Sequence, residues 1–452
     1  MTNAKLIGLS SVQHFLVDGL CICSMFLLAE IYGARFGAYG GRVSMGAVLV
    51  YNVLAFMSQP LTGMLADRMK ACHWLLIASS LLLTLAVACA SLIPTLMTGS
   101  PNQMSDGLGE GLLIGVAVLL GAGNSLFHVW GGKQTAVKTG NDIQALGVFV
   151  STGALGLAVG LVFCSWPLLY GLLLAIVVLA VVYVRWDGNR GPVPVIPFVP
   201  RNWLTPARVW MIVVLLMLFV VYRSFAGEVF SKGITKSQTL ILVIGFVSML
   251  GKMAGGWIAR WMGILRMLAV VLAGVALCIL LRSDSVAVLI VGIFLMNCTM
   301  PVTLYLANDV LPGREGLAFG LLAAALIPGY LLAVYKKIGA MLKMLLVPLV
   351  ATIVIEWGVL LLLGERRRRV LLASVAINVL TNVPLNLFAL CVDDGWMTVV
   401  VGEALVVVME ALCYRKLLGE WQQAWVYSLL CNAVSFLAGE LFVLISLFFT
   451  LY

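Results

Sequence analysis

The octet GMLADRMK, residues 63–70, sets Asp67, Arg68 and Lys70 behind a glycine, at the end of one apolar run and just before the next. Such a charged turn is conspicuous in a chain whose residues are 62% hydrophobic and 10% charged, with a mean hydropathy of +1.10. A soluble globular protein carries about 25% charged residues. No soluble core can hide this much apolar surface, so most of it must be surrounded by lipid. A turn between two membrane runs is a place where charge stays hydrated, and Gly63 lets two helix ends approach closely. Asp67 can then face the positive N-terminus of a neighbouring helix, or pair with an arginine across a gap. Such a latch can be made and broken if two halves of the protein move.

About 20 apolar residues are needed to cross the hydrocarbon core. Fifteen such runs are present, near 6–28, 43–62, 73–93, 112–132, 144–163, 165–185, 208–228, 238–258, 262–281, 286–307, 316–335, 343–363, 370–391, 397–414 and 425–450. Backbone groups in lipid must be satisfied within the segment, so runs this long and continuous are helices. The first contains Asp18 and has no small-residue cleavage site after it. It is expected to stay as a spanning helix rather than be removed as a signal. With a cytoplasmic N-terminus, Lys and Arg favour the inner turns by about two to one, which predicts that orientation in a cytoplasmic membrane. The net charge of +9 is spread over short turns, so no nucleic-acid partner is expected. The ten cysteines stand singly, mostly inside apolar runs, and read as small buried hydrophobes. No cofactor and no metal site is expected.

Two composition shifts divide the chain. DGNRGPVPVIPFVPRNW (187–203) is rich in proline and glycine and follows the sixth run. GERRRR (364–369) follows the twelfth and suits anionic lipid headgroups. The expected architecture is all-α: a six-helix bundle over 1–186, a cytoplasmic linker over 187–206, a second six-helix bundle over 207–365, and three further membrane helices over 366–452. The two sixes look like copies. GMLADRMK follows the second run and GGWIARWMG (255–263) the eighth, while GVFVSTGALGLAVG (147–160) and GLAFGLLAAALIPGYL (316–331) both open glycine-rich runs. Parallel six-span repeats joined by a linker are a transporter layout.

In this position GMLADRMK resembles the G-x-L-A-D-R-x-G-R-K loop signature of the major facilitator superfamily. The second copy departs from it, with Arg260 where the aspartate would stand. HFLVDGLC in the first run, GAGNSLFHVWGG in the fourth and MPVTLYLANDVLPGREGLAFGL across the tenth and eleventh look like the fosmidomycin-resistance branch of that superfamily. Here, though, His128 is followed by Val-Trp-Gly-Gly rather than Pro-Glu-Ala. The resemblance covers roughly residues 1–365. It implies the two-bundle fold, secondary transport that is often export driven by protons, and a cavity lined by runs one, four, seven and ten. It makes Gly63, Asp67, Arg68 and Lys70 a gating loop, with Arg260 in the second copy.

Ionisable groups inside a membrane are costly, so each is a candidate for function. Asp18 lies near the middle of the first run and His14 four residues earlier, on the same helical face. With His128 in the fourth run, they are the expected proton carriers, because histidine titrates near physiological pH. Asn124 (fourth run), Arg223 and Glu228 (seventh) and Asn297 (tenth) are the expected substrate contacts. Arg223 suits an anionic solute but also has the length to snorkel outward. Lys252 reads as snorkelling or pairing with Asp67, and Glu356 stands isolated.

The last three runs carry Asn378, Thr381, Asn382 and Asn386, then Glu403 and Glu410, then Asn432, Ser435 and Glu440. A polar stripe on each predicts interhelical hydrogen bonds, either among these helices or with the bundle before them. There is no P-loop, HExxH or GxSxG, so no enzyme is expected. The favoured function is proton-coupled secondary transport of a small solute by a monomer working through alternating access, with efflux the direction the resemblance suggests. The rival is a transporter-like receptor or scaffold whose residues 366–452 bind a partner protein.

Overall fold

A chain that must satisfy its backbone without water has little choice but helix. The computed structural model describes residues 3–69, 72–97, 103–187, 205–232, 237–281, 285–334, 349, 351–391 and 396–451. Among these residues the regular elements are all helical. In chain order they are α1 (Asn3–Phe36), α2 (Ala38–Asn52), a π-helical turn (Val53–Met57), α3 (Gln59–Arg68), α4 (His73–Met97), α5 (Gln103–Thr139), α6 (Ile143–Val162) and α7 (Trp166–Asp187). Next come α8 (Pro206–Lys232), α9 (Gln238–Met262), α10 (Ile264–Leu280), α11 (Val286–Val310), α12 (Glu315–Ala324), α13 (Leu326–Val334) and α14 (Ala351–Leu362). The last three are α15 (Arg368–Cys391), α16 (Trp396–Leu418) and α17 (Trp421–Leu451). Helix occurs in each of the fifteen expected runs. Ten rods are long and apolar enough to cross a membrane, counting α2 to α3 as one and α12 to α13 as another. Leu61, Leu85, Leu92 and Leu174 are exposed on these rods, as lipid-facing positions should be.

The chain separates into two units, Met1–Val334 and Tyr335–Tyr452. In the first, α6 packs on α1 and α9, and α12 packs on α3. The turn into α6 is sharp because Gly140 and Asn141 both take positive φ, and Asp142 then caps the helix by accepting from the Gln144 N–H. Aromatic rings fill the interior around α5: Trp130 meets Tyr183 edge-on at 4.8 Å, beside buried Phe127 and Phe149.

The second unit begins before the expected boundary at 365. Helix α14, assigned from the sequence to the second six-helix bundle, groups with α15, α16 and α17. Its buried polar groups explain why. Asn378 of α15 donates to Glu356 Oε2 at 2.5 Å, and Trp357 Nε1 donates to Leu371 O and Ser374 Oγ. Thr381 donates to Glu410 Oε1 at 3.2 Å, and Asn432 of α17 donates to Glu410 Oε2 at 2.6 Å. The polar stripes therefore bond these helices to one another, and Glu356 is not isolated. The side chains of Asn386 and Glu440 lie outside the described residues. At the turn before α15, Glu365 receives Arg367 through both the side chain and the backbone N–H. That arginine is thus committed within the protein.

Candidate functional site

Helix α1 carries His14 and Asp18 one turn apart, and α5 carries Asn124 and His128 with the same spacing. Where the two helices face each other, three ionisable groups converge. His128 Nε2 lies 2.9 Å from His14 Nε2. Asp18 Oδ2 is 3.3 Å from His14 Nε2, and Asp18 Oδ1 is 3.4 Å from His128 Nε2. All three residues are buried, at 5%, 8% and 8% exposure for His14, Asp18 and His128.

The other ring nitrogens decide the protonation. His14 Nδ1 sits 2.8 Å from Phe149 O, and His128 Nδ1 sits 3.0 Å from Asn124 O. A carbonyl oxygen only accepts, so both Nδ1 atoms carry protons. In neutral rings both Nε2 atoms would then present lone pairs to each other at 2.9 Å. A single proton between the two Nε2 atoms would turn that repulsion into a hydrogen bond. Phe149 stacks on His14 at 5.0 Å and Asn124 Nδ2 donates to Asp18 Oδ1, which fixes the orientation of the ring and of the carboxylate. Gly153 of α6 makes the room: a Cβ there would fall on Asp18 Oδ2 and His14 Nε2.

The trio borders a cavity of about 510 Å³ within the first unit. Helices α1, α5, α8 and α11 all contribute, through Asp18, His128, Arg223 and Thr303. Arg223, Lys252, Ser224 and Glu228 line the same cavity. Arg223 is buried and donates from Nη1 to Thr303 Oγ1 at 3.2 Å. The cavity therefore combines a carboxylate and two imidazoles with two basic side chains. Asn124 lines the cavity, and its Oδ1 is buried without a hydrogen-bond partner.

At the latch, Asp67 is 2% exposed and accepts two backbone N–H groups at the start of α12, Gly316 to Oδ1 and Leu317 to Oδ2, both at 2.9 Å. Lys133 of α5 pairs with Oδ1 at 3.3 Å and donates to Ala66 O at 2.6 Å. The close approach requires glycine, since a Cβ on Gly63 would fall on the Gly316 carbonyl oxygen. The second copy uses different chemistry. Arg260 donates to Gln144 Oε1 at 2.9 Å and lies 3.6 Å from Asp142 Oδ2, at the start of α6. It is exposed, so this closure is the weaker one. Asn308 reinforces it by donating to Asn141 Oδ1.

Several sequence expectations need correction here. Asn297 is not on the cavity wall; it donates to Ile293 O and to Ser248 Oγ between α11 and α9. Lys252 neither snorkels nor pairs with Asp67, whose partner is Lys133; it lines the cavity. Arg68 is exposed beside the latch, and Lys70 lies outside the described residues. Lys133 went unnoticed because a lysine in an inner turn reads as an ordinary orientation signal. Its signal was the mirrored position of α5, which leads into the turn before glycine-rich α6.

Neither a protein-family model nor a curated protein matches the sequence. Solved structures do share its fold. FucP, a major facilitator superfamily transporter in the outward conformation, aligns with a TM-score of 0.55 at 11% identity, over 74% of this chain and 91% of that one. An outward-facing bacterial homologue of the iron transporter ferroportin aligns with a TM-score of 0.52 at 13% identity, over 72% and 91%. A further structure of the Escherichia coli fucose:proton symporter gives 0.52 at 12% identity, over 76% and 93%. At such identities what is shared is architecture: the described helices adopt the fold seen in these major facilitator superfamily structures.

Proposed function

We propose that this protein is a proton-coupled secondary transporter of a small anionic solute, working by alternating access as a monomer in the cytoplasmic membrane. The observation that carries the reading is the cavity itself. A buried histidine pair and Asp18 line it within hydrogen-bonding reach of one another, and Arg223 and Lys252 line it too. Protonation of the trio and occupation of the basic side chains change the balance of charge between the same two bundles. The Asp67 and Arg260 closures are the contacts that must break and re-form as those bundles rock. The two-to-one bias of basic turns supports a cytoplasmic N-terminus and a latch on the cytoplasmic side. The likeness of the first and fourth runs to the fosmidomycin-resistance branch supports export as the direction.

Proteoliposomes given a pH gradient and a panel of small organic anions test the reading. Accumulation of at least one anion, abolished by Asp18→Asn, is the expected result. No accumulation across the panel, together with no effect of Asp18→Asn on any proton flux, overturns it.

A further inference from the structure

We infer that His14, His128 and Asp18 form a binding site for a divalent first-row transition-metal ion. The inference rests on the transport reading above and adds to the same cavity a metal ion, held at the trio beside the anionic solute.

The chemistry of the donor set points this way. Two imidazole Nε2 atoms and one carboxylate converge so closely that one ligand atom from each lies within 4.8 Å of the others. Both histidines hold their Nδ1–H groups on backbone carbonyls, Phe149 O and Asn124 O. That is the arrangement by which proteins fix the tautomer and aim Nε2 at a metal. The 2.9 Å separation of the two Nε2 atoms subtends about 90° at an ion roughly 2.05 Å from each. The 3.3 Å contact from His14 Nε2 to Asp18 Oδ2 subtends about 107° at the same ion distance, and Oδ1, 3.4 Å from His128 Nε2, is the second carboxylate oxygen within reach. Two histidines and a carboxylate on one face leave the other coordination positions open toward the cavity, a set that suits Zn, Co, Mn or Fe rather than Mg or Ca. The buried Asn124 Oδ1, a lone acceptor beside the trio, is consistent with a cation or its water in that space.

No ligand-spacing motif announces the set, because His14 and His128 stand 114 residues apart. The other titratable groups facing the site are Cys21 on α1, Tyr51 on α2, Lys252 on α9 and Arg223 and Glu228 on α8. Lys252 opposes a bare cation, so Lys252→Met should tighten binding. A role in packing alone has no such consequence.

The test is isothermal titration of the full chain in detergent with ZnCl2. Visible absorption of bound Co2+ reports the ligand field in parallel. Expected are one ion per chain, affinity at least about 30-fold weaker in Asp18→Asn and in His128→Gln, and tighter binding in Lys252→Met. Thermal melts of the metal-free variants confirm that they fold. Coincident titrations for wild type and both ligand variants overturn the metal site. Should the metal fail to bind while a pH gradient still drives anion accumulation, the metal inference falls and the transport reading stands. If Zn2+ binds as described but no gradient drives accumulation, the site stands and the transport reading falls.

Discussion

Replacing Asp67 with asparagine should unlatch α3 from α12. In the wild type both carboxylate oxygens accept backbone N–H groups at 2.9 Å, from Gly316 and Leu317, and Lys133 adds its charge at 3.3 Å. Asparagine keeps the shape but turns one oxygen into a donor that faces another donor. One charge-assisted bond is lost, the attraction to the start of α12 weakens, and Lys133 is left with the Ala66 carbonyl. Hydrogen bonds to a charged group contribute about 1.5–3 kcal/mol, and breaking a buried pair costs about 3–5 kcal/mol, so roughly 3 kcal/mol is a conservative sum. At about 1.4 kcal/mol per tenfold, the open population rises roughly 100-fold. The amides of Gly316 and Leu317 report this directly, because they are the donors released when the latch opens. Native-state hydrogen exchange at these two positions should accelerate by about two orders of magnitude in Asp67→Asn. Substitution of exposed Arg68 by Gln should leave it unchanged. Exchange within threefold of wild type in Asp67→Asn would refute the latch.

Other consequences follow from the same geometry. Gly153→Ala places a Cβ on Asp18 Oδ2 and His14 Nε2; the overpacking should cost about 1–3 kcal/mol in a thermal melt and weaken Zn2+ binding, whereas Gly111→Ala, with open space around it, should do neither. In the second unit, Asn432→Leu strips Glu410 of its 2.6 Å donor and should cost about 1 kcal/mol. Adding Glu410→Leu should recover part of that loss, and a double variant no more stable than the single one would contradict the assignment. Arg367, through its side-chain and backbone hydrogen bonds, holds the Glu365 carboxyl at about 2, below its ordinary 4.5. A value lowered on folding means that the stabilisation is present above pH about 4.5 and is lost as pH falls through about 2. Melts between those values should therefore steepen with acid in wild type and flatten in Arg367→Gln.

Helix positions were legible because lipid leaves the chain one economical way to satisfy its backbone, and apolar length records it. The i, i+4 spacing of His14 and Asp18 was legible for the same reason, since it depends only on helix geometry within one run. What joins distant runs was not. Nothing in the spacing of His128 says that its ring meets His14, and nothing near Asp67 says that its donors belong to residues 316 and 317. Only the type of partner, a helix N-terminus, could be read from the charge. Lys252 and Asn297 were misread because helical periodicity fixes which residues share a face but not which neighbour that face meets. Helix α14 was assigned to the second bundle by counting in sixes, although Glu356 had its hydrogen-bonding partner Asn378 waiting in the next helix. Arg260 departed from the first copy's pattern, and its exposed contacts with Gln144 and Asp142 show a closure of different chemistry at the matching place.

The central claim is that His14, His128 and Asp18 share one exchangeable proton inside the cavity. Because the chain has only three histidines, 15N spectra of histidine-labelled protein, with His73 as internal reference, can examine it ring by ring. The account predicts that both buried rings carry Nδ1–H, that their Nε2 atoms are coupled through a single proton, and that Asp18→Asn uncouples them. Two independent rings, each protonated at Nε2 and indifferent to Asp18→Asn, would contradict it.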